Sequence, residues 1–188
     1  MAAGASTGDF GISKFMSKVE NLGGVAKKNR FTVQVTPPRS LVSEIPASKI
    51  DFLAQAVSFP ARAMGTTTYR SGGRFALNVP YETTYEGVAL SLMNTNDHAP
   101  RIFWTDWLEH IQSMDSYNMQ YYKNFIGSIK ISHYAEDMLF AEESFSSYQI
   151  TLHDAYPKGI GAIEYSWGGT EFSSFDVDIL YSRWTKKD

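Results

Sequence analysis

Apolar and polar residues alternate over much of this chain. In RFTVQVTPP, Phe31, Val33 and Val35 alternate with Thr32, Gln34 and Thr36. That period of two marks a strand with one buried face, and Pro37 and Pro38 end it. DFLAQAVSFP reads as a second strand, closed by Pro60. The threonine-rich stretch ARAMGTTTYRSGGRF suits a strand, and Gly72-Gly73 suits a turn or bulge. Phe75, Leu77 and Val79 continue in strand spacing to Pro80, and GVALSLMN follows as another strand. Three more are predicted in SIKISHYA, SSYQITLHDAYP and SSFDVDILYSRW. In the last, Phe175, Val177, Ile179 and Tyr181 share one face, while Asp176, Asp178 and Ser182 share the other.

One segment carries a helical period over a long stretch. Asp97 and Pro100 are helix start signals. Phe103, Trp104, Trp107, Leu108, Ile111 and Met114 then fall at i, i+3, i+4 spacing. The helix is expected over about residues 101–114, with Phe103, Trp107 and Ile111 packed on a sheet. Near the start of the chain, Phe15, Val19 and Leu22 define a shorter helix ended by Gly23 and Gly24. Residues 1–9 are small and polar and read as a flexible arm, and residues 115–124 as a tyrosine-rich connector. The expected organisation is an arm over 1–29 and a body over 30–188. The body is mainly β: an antiparallel sandwich or incomplete barrel with one flanking α-helix.

Composition narrows the function. The chain of 188 residues carries a formal net charge of −3, which argues against a broad basic surface for nucleic acid. It has no cysteine, so disulfides and thiolate metal sites are excluded, and nothing indicates secretion. The first ten residues lack the basic start and apolar core of a signal peptide. His98, His110, His133 and His153 show no metal-ligand spacing. Gly72-Gly73 and Gly159-Ile160-Gly161 form neither a P-loop nor a dinucleotide fingerprint. The carboxylate pairs Glu136-Asp137 and Glu142-Glu143 suit a charged hairpin tip better than a glycosidase. The expectation is a protein without catalysis, cofactor or metal, whose aromatic-rich body and polar strand faces serve recognition between chains.

Four segments, in order, resemble the tail tube proteins of contractile-tailed bacteriophages. They are Leu53 to Pro60; Arg101-Ile102-Phe103-Trp104-Thr105-Asp106-Trp107; Asp154 to Gly161; and Ser166-Trp167 with Phe175 to Trp184. The resemblance covers roughly residues 31–184. It implies hexameric rings stacked into a hollow tube within a contractile sheath, with strands of neighbouring subunits joined in a continuous inner β-barrel. It also implies baseplate and tail terminator partners, passage of double-stranded DNA during ejection, a place in the virion and assembly in the host cytoplasm. The resemblance fits a tube-like baseplate hub or tail-completion protein as well, and a monomeric sugar-binding domain is a further alternative on composition.

The resemblance puts the barrel in residues 51–80 and 128–155. Alternation there makes Arg74, Asn78, Lys130, Ser132, Gln149, Thr151 and His153 the expected lumen lining. The basic members suit a wall that DNA slides along poorly, and nearby carboxylates are expected to offset them. Contacts between rings are expected from the arm, through Phe15, Val19 and Leu22. The proline-stiffened loop over 39–49 is expected to add Leu41, Val42 and Ile45.

Overall fold

The computed structural model of the chain describes residues 11–21, 24–43, 45–70, 72–73, 75–135, 147–168, 170 and 172–187. Its strands are β1 (Phe31–Thr36), β2 (Ala54–Val57), β3 (Arg62–Tyr69), β4 (Leu77–Tyr85), β5 (Val88–Met93), β6 (Gly127–His133), β7 (Tyr148–Ile160), β8 (Ser174–Leu180) and β9 (Arg183–Lys186). Seven of them form one antiparallel sheet in the order β1-β6-β7-β8-β5-β2, with β9 added to β7. The other two, β3 and β4, pair only with each other. The fold is thus mainly β and antiparallel, as the alternation predicts, and the sheet does not close on itself.

The sheet bends into two layers within β7. Its first half pairs with β6 and β9, and its second half, from Tyr156, pairs with β8. The corner is Asp154, which is skipped in the register with β6 and has a left-handed φ of 54°. An extra residue in a strand bends it and re-aims the residues beyond the bend. The closing segment, continuous in its sequence pattern, also divides here. β8 ends at Leu180, and the Ser182 N–H donates to the His153 carbonyl at 3.0 Å, which carries β9 onto the other layer.

Val33, Val35, Ile129, Ile131, Ile150 and Leu152 from one layer face Val88, Leu90, Leu92, Phe175, Val177 and Ile179 from the other. These are the apolar members of each alternating pair, so the core comes directly from the period of two. Helix α2 (Ala99–Ile111) lies against β7 and seals this core with Phe103, Trp104 and Trp107. The two indoles stack at 5.4 Å, with the Phe103 ring edge-on to both. The Trp107 Nε1–H donates to the Phe125 carbonyl at 2.9 Å. Ile111 is buried, but the helix stops there. Gln112 turns extended and bridges to Met119, which leaves Met114 exposed. The predicted connector contains one short turn of helix, α3 (Tyr122–Phe125), whose Phe125 enters the core.

Candidate assembly surfaces

The β3–β4 hairpin lies between β2 and β5 in the chain and forms a sheet of its own. Its register runs from Arg62↔Tyr85 to Tyr69↔Leu77, with a bulge between Gly65 and Thr66. Directly paired residues share a face. One face therefore carries Tyr69 with Leu77 and Thr67 with Val79. Here the Tyr81 ring also lies over Gly65, 3.3 Å from where a Cβ would stand. The other face carries Thr66, and Thr68 with Asn78, whose side chains hydrogen-bond at 3.0 Å. The first of these faces is apolar and the second polar. Yet Tyr69, Leu77 and Tyr81 are 60–67% exposed. An isolated two-stranded ribbon is marginal in water, so this apolar face is built to be covered.

The outward side of the β2-β5-β8-β7 layer carries small residues, two carboxylates and the exposed Met93. Asp176 pairs with Ser91, and Asp178 sits between Ala89 and Gly159. Both carboxylates are exposed. The outward side of the other layer is polar and in part basic, with rows Thr32–Ser132–Gln149 and Gln34–Lys130–Thr151. His153 and Arg183 end that face, where His153 Nε2 lies 2.7 Å from Thr185 Oγ1.

Several expected residues lie elsewhere than the sequence suggested. Ser132 and Gln149, expected to line a lumen, are buried. Tyr134 shares their face, is itself buried and reaches across with its hydroxyl 3.1 Å from Thr32 Oγ1. Lys130, Thr151 and His153 are half-buried on the same face, so five of the expected residues share one side of one layer, while Asn78 is exposed on the separate hairpin. Leu41 and Ile45 pack against the subunit's own core, because the turn of 3₁₀ helix at Ala47–Lys49 swings Ile50 into it. Val42 is left 93% exposed. Helix α1 (Ile12–Asn21) buries none of its residues; Phe15 is exposed and Val19 half-exposed. Arg74, Leu22 and the pairs Glu136-Asp137 and Glu142-Glu143 lie outside the described residues.

Two features escaped sequence reading. One is the separation of β3 and β4 from the main sheet, which alternation cannot reveal. The other is Asp51, whose carboxylate accepts the Val35 N–H at 2.9 Å. Burial pushes the Asp51 carboxyl above its ordinary pKa, partly offset by that hydrogen bond. The opposite holds for Asp97, kept below its ordinary value by the Thr95 hydroxyl and the Ala99 N–H. The histidines have ordinary polar neighbours: His98 Nδ1 lies against Asn94, His110 Nε2 against Ser40 Oγ, and His133 between Ser147 Oγ and the Lys27 carbonyl. Among the described residues no group of three or more His, Cys, Asp or Glu side chains is placed to hold a metal.

Comparison with known proteins bears on what these surfaces serve. The family model for phage tail tube protein matches residues 26–187. None of the curated proteins matches the chain. Solved structures share its fold at low identity. A chain in the six-fold symmetrised cryo-EM structure of the anti-feeding prophage baseplate is 15% identical, with a TM-score of 0.64 over 87% of this chain and 95% of that one. A chain in the extended sheath–tube complex of an extracellular contractile injection system, PVC, is 15% identical, with a TM-score of 0.63 over 91% and 96%.

Proposed function

The chain belongs to the phage tail tube protein family, and on that premise we propose that its copies join edge to edge into hexameric rings that stack into a hollow tube. The observation that carries this reading is the hairpin β3–β4. Its apolar face, with Tyr69, Leu77 and Tyr81, is exposed in the single subunit, so the layer that covers it comes from another copy. Joining β2 and β3 to a neighbour's strands removes exposed edges that would otherwise recruit strands at random. Helix α1, with exposed Phe15 and half-exposed Val19, and the exposed Val42 join the contacts between rings.

The channel wall in this reading is the outward side of the β2-β5-β8-β7 layer, prolonged by the polar hairpin face with Asn78. Asp176 and Asp178 repel a polyanion, and a wall mostly of small residues offers DNA no phosphate contacts to hold it. DNA passes along this wall on ejection, a contractile sheath surrounds the tube, and terminator and baseplate proteins close its ends. The particle is the virion tail, built in the host cytoplasm. The protein acts by assembly, without catalysis.

Electron microscopy of the purified chain tests the assembly. Hollow filaments of uniform width are expected. Single rings that never stack would favour a hub or completion role instead, and a monomer at high concentration would end the tube reading. The Asp176→Lys, Asp178→Lys double variant tests the wall. Its tubes are expected to retain double-stranded DNA at low salt, whereas wild-type tubes do not. If neither retains DNA, the wall lies on another face.

A further inference from the structure

Strand β1 ends the sheet order, yet one of its outward N–H groups is occupied. The Arg30 carbonyl accepts the Tyr134 N–H on the β6 side, so residues of even number in β1 direct their backbone to β6. Phe31, Val33 and Val35 direct theirs away from it. On an edge strand these outward groups are the template for another strand. The Asp51 carboxylate takes the Val35 N–H at 2.9 Å. It is held there from both sides. Ile50 is sunk in the core, its N–H bonded to the Ala47 carbonyl at 2.9 Å, and the Leu53 N–H returns to the Ile50 carbonyl at 2.9 Å. The pairing of β2 with β5 then begins at Ala54.

We propose that Asp51 is an edge guard that blocks strand addition at β1 and leaves β2–β3 as the edge through which copies join. An incoming strand would have to displace a carboxylate from Val35 and would meet a negative charge seated beside its own carbonyls. β1 otherwise has what strand addition needs, with FTVQVT rich in β-branched residues. Without a guard, a subunit would offer two competing edges, β1 and β2, and rings would not close to one size. The choice of β2–β3 as the joining edge rests on the tube reading. The block at Val35 rests on the Asp51 hydrogen bond and stands without it.

Asp51→Ala frees the Val35 N–H, and Asp51→Asn keeps an acceptor of the same shape. Asp51 is half-exposed, so neither change empties the core. Amide exchange at Val35 is expected to rise about tenfold in the alanine variant as a hydrogen bond is lost, and to stay near wild type in the asparagine variant. The alanine variant is also expected to form broad, irregular or branched assemblies, or larger species if the wild type is monomeric. Faster exchange at Val35 with association identical to wild type would overturn the guard, whether or not the wild type forms tubes. Exchange on the wild type gives a second measure. On assembly, residues 62–69 are expected to gain protection while residues 31–36 do not, and protection gained equally at 31–36 would refute the proposal.

Discussion

Gly127 runs so close beneath the Trp107 indole that a Cβ on it would stand 2.9 Å from Trp107 Cη2 and 2.4 Å from the Thr36 carbonyl oxygen. Both obstacles are fixed, the indole by its hydrogen bond to Phe125 and the carbonyl by the β1–β6 pairing. Gly127→Ala is therefore expected to overpack the core and cost about 1–3 kcal/mol in urea unfolding. A stability equal to wild type would show that β6 can slide away from α2.

The two stacked tryptophans differ in their polar atoms. Trp107 Nε1 has a partner, whereas Trp104 Nε1 is buried with none among the described residues. Trp107→Phe strands the Phe125 carbonyl as well as losing volume, so it is expected to destabilise more than Trp104→Phe. Trp107→Ala should cost about 3–5 kcal/mol. Urea titrations of the three variants check the order, and equal losses for the two phenylalanine variants would show that the hydrogen bond has no net value.

The hairpin faces predict a split between folding and assembly. Leu77→Asp and Tyr69→Asp charge the apolar face, which the isolated subunit leaves exposed. Subunit stability is expected to stay within about 0.5 kcal/mol of wild type while tubes disappear under the microscope. Thr68→Asp, on the polar face, should still give tubes. Loss of tubes in all three variants alike would mean that the hairpin acts by shape alone.

Asp51 and Asp97 give stability opposite slopes with pH. The raised folded pKa of Asp51 means that its contribution is fully present below its unfolded pKa and is lost as pH rises through the folded one. The lowered pKa of Asp97 means that its contribution is present above its unfolded pKa and is lost as pH falls through the folded one. Asp51→Asn should therefore gain on wild type at neutral pH and lose that gain in acid. Asp97→Asn should fall below wild type at neutral pH and rejoin it in acid. Urea midpoints between about pH 3 and pH 7, spanning the carboxylate range, read both.

The sequence by itself determined which residues could be buried. Alternation in β1, β5, β6, β7 and β8 and the 3.6 period of α2 name most of the core, because each depends only on geometry within one element. The order of elements was legible for the same reason. The tertiary structure alone decided what lies opposite what. Nothing local says that β7 turns at Asp154 to serve two layers, that the segment after Leu180 changes layer, or that the Tyr134 hydroxyl reaches Thr32 on the face of the buried Ser132. A strand's polar face has the same pattern whether it meets water, a channel or a neighbouring side chain. Only long-range pairing, which brings residues such as Asp51 and Val35 together across a loop, settles which of these it meets.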